Sequence, residues 1–148
     1  MADKYEEFEL KGREEFKTWA DTNYQIWNLE FSENKYEHID GYFWSGYSKM
    51  SFELKRRKHS SETIWYGTPL GFIMEKIKYD ALMESDSDQK LFVIIFDDRT
   101  IIWDVTYMKP EWIVKKYACN HSRLTHRDKE VTYLTLENAT HIINKTKI

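Results

Sequence analysis

Residues 38–57 of the chain read HIDGYFWSGYSKMSFELKRR, and this stretch decides the fold. Its aromatic and branched side chains are typical of two strands, and the small polar residues between them predict a hairpin turn. A two-residue turn at Gly46-Tyr47 and a four-residue loop between Trp44 and Lys49 give the same register, in which Asp40 lies directly opposite Glu53. A loop with an odd number of residues would shift this register by one and move one of the two acids to the other face.

Alternate side chains of a strand share a face, so Glu53 and Lys55 are expected to point the same way. Two facing carboxylates repel each other, and directly opposed like charges destabilise a sheet. A divalent cation would offset that repulsion, and hard oxygen ligands of this kind suit Mg²⁺ or Mn²⁺. Lys55 beside such a metal would stabilise or position an attacking water or a phosphate oxygen.

The rest of the chain surrounds this hairpin with alternating helical and extended patterns. The predicted elements are a helix over 5–22, strands over 24–31, 36–44 and 49–57, a loop over 59–67, a helix from Thr68-Pro69 to about residue 82, strands over 91–96 and 100–105, a short helix over 110–117, a loop over 120–129, a strand over 131–136 and a helix over 137–143. This order predicts an α/β fold with a central mixed sheet flanked by helices. The length of 148 residues predicts one domain over 1–148, with its core at 5–105 and a C-terminal extension at 106–148.

The element order and the acidic hairpin together resemble the PD-(D/E)XK nuclease superfamily. The restriction-endonuclease-like core of that family is a helix, a three-strand meander, a second helix and further strands. Its motif places an Asp at the second strand, which is Asp40 here, and Glu-x-Lys on the third, which is Glu53-Leu54-Lys55. Ile39 stands where some members have a proline. The chain is most similar to small stand-alone phage and bacterial members.

The resemblance implies a set of site residues. Asp40, Glu53 and Lys55 are the expected catalytic residues. A Mg²⁺ or Mn²⁺ ion is expected to bind Asp40, Glu53, the Leu54 carbonyl and a first-helix acid, for which Glu15 is the first candidate and Glu14 the second. Tyr79 follows Glu75 at the spacing of a Gln–Tyr pair found in some branches, with Glu in place of Gln. Arg57, Lys78, Tyr79 and Trp44 are the expected DNA-binding residues, Trp44 by stacking on a base.

The composition of the chain excludes several classes of protein. A net charge of −3 and a pI of about 6.0 exclude a bulk polycation, so nucleic acid must bind through a local patch. The single cysteine, Cys119, excludes an internal disulfide and a cysteine-based zinc site. The longest apolar run, 91–96, is too short for a membrane span, and the acidic N-terminus has no signal-peptide pattern. We therefore expect a cytoplasmic protein, in a bacterial or phage-infected cell, with no membrane partner.

The expected function is hydrolysis of DNA phosphodiester bonds by a metal-dependent endonuclease or exonuclease. Branched or duplex DNA is the expected partner, and the resemblance allows a homodimer. The alternative is a non-catalytic module on the same fold that binds nucleic acid or another protein. In that case the cluster of Asp40, Glu53 and Lys55 would be a surface salt bridge.

Overall fold

The computed structural model describes residues 4–24, 26–31, 39–57, 72–118 and 126–144. These residues form two helices and nine strands. In chain order the elements are α1 (Lys4–Tyr24), β1 (Ile26–Phe31), β2 (Gly41–Ser45), β3 (Ser48–Arg56), β4 (Phe72–Glu75), α2 (Lys76–Glu84), β5 (Gln89–Ile95), β6 (Arg99–Asp104), β7 (Ile113–Ala118), β8 (His126–Leu134) and β9 (His141–Asn144). The structure is therefore mixed α/β with a core made mostly of sheet.

The hairpin of β2 and β3 has the predicted register. Ser45 pairs with Ser48, and the ladder continues without a shift to Gly41 opposite Phe52. Gly46 takes a φ of 62° in the turn, a left-handed conformation that favours glycine. The Ser45–Ser48 pair confirms the two-residue turn. Glycine makes this turn possible, because it adopts the left-handed φ that a tight hairpin requires.

The central sheet has six strands in the order β1-β2-β3-β5-β6-β9. Its single parallel pair is β3 with β5, and the other neighbours are antiparallel. A second sheet has three strands in the order β4-β8-β7. The connection from β3 to β5 passes through β4 and α2, as a parallel pair requires a crossover connection.

Two apolar clusters lie on the two faces of the central sheet. The first contains α1 residues, with Phe16 packed on Phe52 at a ring-centroid distance of 4.4 Å. The second joins the sheet to α2 and to the three-stranded sheet, where Phe72 packs on Trp103 at 5.5 Å. Buried members of this second cluster are Phe72, Met74, Leu82, Phe92, Ile94, Phe96, Ile101, Trp103, Val105 and Leu134. The central sheet therefore lies between α1 on one side and α2 with the small sheet on the other.

The helix predicted from Thr68 begins later than expected. Residues 72–75 are strand β4, paired antiparallel with β8, and α2 begins at Lys76. Phe72 and Met74 are buried with a strand period, whereas the helical stripe predicted here used the consecutive residues Ile73 and Met74. Thr68-Pro69 and the predicted loop over 59–67 lie outside the described residues.

The C-terminal part of the chain is more extended than predicted. The predictions of helices over 110–117 and 137–143 are wrong, because β7 pairs with β8 and β9 pairs with β6. Residues 126–129 of the predicted loop belong to β8, whereas Cys119 lies outside the described residues. Strands from the predicted extension thus complete both sheets. Neither α1 nor α2, the helices in the described part of the chain, is long and apolar enough to cross a membrane.

Candidate functional site

The candidate site forms where the chain enters β2. Asp40 immediately precedes β2, and its backbone N–H donates to the Phe52 carbonyl at 2.9 Å. Phe52 is also the register partner of Gly41, so Asp40 and Gly41 both face one residue of β3. Asp40 therefore leaves the regular ladder instead of lying in it opposite Glu53. The two acids still lie close together, because each belongs to this end of the hairpin.

The Asp40 side chain takes over a backbone role at this point. Its Oδ2 atom accepts the N–H of Leu54 at 2.7 Å, an N–H that would otherwise have no strand partner beyond β2. In a strand the N–H and C=O of one residue point to the same neighbour. The Leu54 carbonyl is therefore directed toward the Asp40 side of β3, which is the side that the predicted ligand role needs.

The Glu53 carboxyl is buried, with 4% of the residue exposed. Burial raises its pKa from the ordinary 4.5 to about 8, and the negative charge of Asp40 adds to that rise. The positive charges of Lys78 and Lys55 act against this rise. Among the described residues, Glu53 Oε2 is a buried oxygen without a hydrogen-bond partner. When Glu53 is ionised, this unpaired oxygen would be stabilised by a further positive group.

Two lysines from different elements flank this carboxylate. Lys78 of α2 forms an ion pair with Glu53, with 3.3 Å between Nζ and Oε1. Lys55 lies on the same face of β3 as Glu53, as the alternation predicted. Burial lowers the pKa of Lys55, and the charge of Arg57 lowers it further, while Glu53 and Glu75 raise it. The site thus places the buried Glu53 carboxyl and the partly buried Asp40 beside two lysine amines.

A second ion pair extends the site toward the small sheet. Lys129 of β8 donates to Glu75 Oε1 at 3.1 Å, where β4 meets α2. Burial alone would raise the pKa of Glu75, but the Lys129 hydrogen bond and the charges of Lys55, Lys129 and Lys78 outweigh it and lower the pKa. Lys129 was not predicted as a site residue. Only the pairing of β8 with β4 brings it here, and no local pattern in the sequence signals that pairing.

Asp40 and Glu53 have carboxylate oxygens that could bind a divalent cation. Lys78 contacts Glu53 Oε1 and Leu54 contacts Asp40 Oδ2, so each carboxylate retains a second oxygen. Within the described residues no group of three or more His, Cys, Asp or Glu side chains could hold a metal. Magnesium nevertheless keeps several waters and needs only one or two carboxylates. The donor set of Asp40, Glu53 and the Leu54 carbonyl matches that requirement.

The structure does not bring Glu15 to this pair. Glu15 Oε1 lies 3.3 Å from Arg56 Nη2, and Arg56 alternates along β3 to the face opposite Lys55. Helix α1 covers that opposite face, and a Cβ at Gly12 would lie 3.2 Å from Arg56 Cδ. The expected first-helix ligand is therefore separated from Asp40 and Glu53 by the sheet. Glu14 is exposed on α1 and does not replace it.

The predicted DNA-binding residues lie in different surroundings. Arg57 is exposed at the end of β3, and its charge acts on Lys55. Tyr79 donates its hydroxyl to the Met108 carbonyl at 2.9 Å and packs on Trp112, which indicates a packing role. Trp44 lies on the same face of β2 as Tyr42, opposite to buried Phe43, and the Lys49 ammonium lies 5.9 Å from its ring centroid.

The site thus combines two adjacent carboxylates, one of them buried, with lysines from β3 and α2. Exposed Arg57 follows Lys55 by two residues at the end of β3. Comparison of the chain with protein-family models, with curated proteins and with solved structures finds no match.

Proposed function

We propose that this protein is a divalent-metal-dependent nuclease that hydrolyses DNA phosphodiester bonds at the Asp40–Glu53 site. The buried Glu53 Oε2 atom, which lacks a hydrogen-bond partner within the described residues, is the observation that carries the proposal. A buried, unpaired carboxylate oxygen beside a second carboxylate is costly for a fold. A bound cation would offset this unfavourable energy, because it would pair with both carboxylates.

Asp40, Glu53 and the Leu54 carbonyl would hold the metal, which is Mg²⁺ or Mn²⁺ on chemical grounds. When bound, such a metal neutralises phosphate charge and lowers the pKa of its water. The Leu54–Asp40 hydrogen bond keeps one carboxylate fixed against β3. That contact orients Asp40 without help from α1.

Lys55 would act on the attacking water or on the charge that develops on the phosphate. Burial lowers its pKa, which makes the neutral amine easier to form, and the neutral amine can accept a proton whereas the ammonium cannot. Arg57, exposed at the end of the same strand, would hold a neighbouring phosphate. Lys78 and Trp44 are further candidates for contacts with the phosphate backbone and with a base.

The fold supports a restriction-endonuclease-like core in part. The support for this part of the proposal is the order of α1, the β1–β3 meander, α2 and β5, with β4 inserted before α2. Asp40, Glu53 and Lys55 are the residues that the resemblance assigns to the family motif. The additional β4-β8-β7 sheet and the position of Glu15 depart from the expectation. We propose a PD-(D/E)XK-like nuclease of the bacterial or phage cytoplasm that works without a first-helix acid.

A non-catalytic module that binds nucleic acid or another protein is the second candidate. The Lys78–Glu53 ion pair favours it, because an ammonium already offsets part of the charge that a metal would offset. The acidic net charge also argues against tight non-specific DNA binding. The two candidates differ in metal dependence.

The deciding experiment incubates the protein with plasmid, linear duplex, single-stranded and branched DNA in Mg²⁺ or Mn²⁺. Parallel reactions contain Glu53→Gln, Lys55→Ala and the matched control Lys109→Ala, which alters an exposed lysine on the loop between β6 and β7. The proposal expects metal-dependent cutting that is lost in the first two variants and kept in the control. If Lys55→Ala cuts normally, its assigned role is wrong. If no substrate is cut and Mn²⁺ leaves the melting temperature unchanged, the non-catalytic module is favoured.

A further inference from the structure

Lys78 occupies an unusual position for a residue expected to bind phosphate. Its ammonium lies 3.3 Å from Glu53 Oε1, and the two side chains are 23% and 5% exposed. It is the third residue of α2, so the helix delivers a cation to the carboxylate that would hold the metal. The protein thus contains an internal positive group at its candidate cation site.

An ammonium and a divalent cation at one carboxylate repel each other. This repulsion is strong at the separation of neighbouring ligands, because the cation carries two charges and a partly buried site screens them less than water does. Lys78 therefore competes with a metal as long as it stays on Glu53. It also has an alternative position, because lysine carries three donors on a flexible four-carbon stem and part of this side chain is exposed.

We propose that Lys78 is a movable counter-ion, which leaves Glu53 for a phosphate of the bound nucleic acid and so makes metal binding and nucleic-acid binding cooperative. This inference rests on the proposed function, since it concerns the same carboxylate and the same ligand. Without nucleic acid, the Lys78 ammonium stays against Glu53 Oε1 and weakens metal binding. With a phosphate nearby, the ammonium moves to the phosphate. Both carboxylate oxygens of Glu53 are then available to the metal.

The neighbouring Lys76 is a lysine of the same helix that does not contact Glu53. It pairs with Asp80 one turn along α2, at 2.6 Å, and that pair is well exposed. The two lysines share a helix and a charge but contact different acids. Lys76→Met is therefore a matched control for Lys78→Met.

Cooperativity between two ligands is reciprocal, so it is measurable from the metal side alone. The test is calorimetric titration of Mg²⁺ into the protein at a pH above 8, with and without a short phosphorothioate duplex whose linkages resist hydrolysis. For the wild type we expect the duplex to tighten Mg²⁺ binding by about tenfold. For Lys78→Met we expect tighter Mg²⁺ binding without the duplex, again by about tenfold, and a smaller gain when the duplex is added.

Lys78→Arg keeps the charge and should resemble the wild type, as should Lys76→Met. Melting curves check that each variant is folded. Equal Mg²⁺ affinity for Lys78→Met and the wild type would overturn the inference, and so would an equal gain from the duplex in both. Coupling that depends on Lys78 in a protein that cuts no DNA would uphold the inference while refuting the nuclease. Absence of Mg²⁺ binding in both proteins would refute both.

Discussion

Asp40 Oδ2 and the backbone N–H of Leu54 are joined by a hydrogen bond of 2.7 Å, which holds the carboxylate to the strand that carries Glu53. A side chain here replaces a strand partner. The bond therefore has a structural effect that is separable from the charge of Asp40.

Substitutions of Asp40 separate these two effects. Asp40→Asn retains an oxygen acceptor for Leu54, whereas Asp40→Ala leaves a part-buried N–H without a partner. We expect Asp40→Ala to lower the free energy of unfolding by about 1–3 kcal/mol and Asp40→Asn to lower it by clearly less. Urea unfolding at neutral pH measures both. Equal losses would show that the Leu54 hydrogen bond contributes little.

Glu53 should make stability depend on pH in an unusual direction. The folded protein keeps the Glu53 proton up to a pKa of about 8, whereas the unfolded chain releases it near 4.5. The folded state therefore binds more protons across this interval, and the free energy of unfolding falls as the pH rises through it. Glu53→Gln keeps the shape without the charge and should remove this contribution.

The measurement is the urea midpoint of the wild type and of Glu53→Gln at several pH values from 4.5 to 8. The advantage of the variant should increase with pH over this range. Glu84→Gln, at the exposed end of α2, is the control and should follow the wild type. Parallel curves for the wild type and Glu53→Gln would contradict the raised pKa.

Glu15 tests whether the first helix contributes to the site. Its ion pair with Arg56 is partly exposed and lies on the α1 face, so Glu15→Gln should cost less than about 1 kcal/mol of stability. Mg²⁺ affinity, measured by calorimetry, should stay unchanged, as it should in the Glu14→Gln control. A large loss of Mg²⁺ affinity specific to Glu15→Gln would restore the ligand role that the family resemblance implies.

Gly41 is expected to tolerate no side chain. A Cβ at this position would lie 2.2 Å from the Glu30 carbonyl oxygen and 2.7 Å from Phe52 Cζ. Gly41→Ala should therefore lower the free energy of unfolding by more than about 2 kcal/mol. Gly46→Ala has open space and only the left-handed φ against it, so it should cost about 1 kcal/mol. Thermal unfolding of both variants compares a steric effect with a conformational one.

The sequence predicted best those parts of the fold that depend on neighbouring residues. The turn at Gly46-Tyr47 determines the β2–β3 register, and the hairpin of β5 and β6 has a similarly local origin. The second sheet could not be anticipated, because β4 pairs with a strand more than fifty residues later. Ile73 and Met74 of β4 fit a helical stripe as well as a strand until that partner is known.

The site residues also divide into those placed by neighbouring sequence and those placed by distant contacts. Asp40, Glu53 and Lys55 lie on one hairpin, and strand alternation was enough to place the last two on one face. Glu15 was assigned by resemblance, and the packing of α1 on the opposite face of the sheet leaves it with Arg56. The contacts of Lys78 and Lys129 depend on the crossover and on β8, so only the tertiary structure reveals them.

The crossover between β3 and β5 also has a consequence for how the chain folds. The hairpin that joins Asp40 to Glu53 is a local structure, and hairpins form within microseconds. Lys78 arrives only when α2 and the parallel pairing with β5 are in place, and such non-local contacts form later. During folding the two acids therefore meet before the lysine reaches them. Conditions that weaken carboxylate repulsion, such as mild acid or added divalent cations, should accordingly speed the formation of the hairpin.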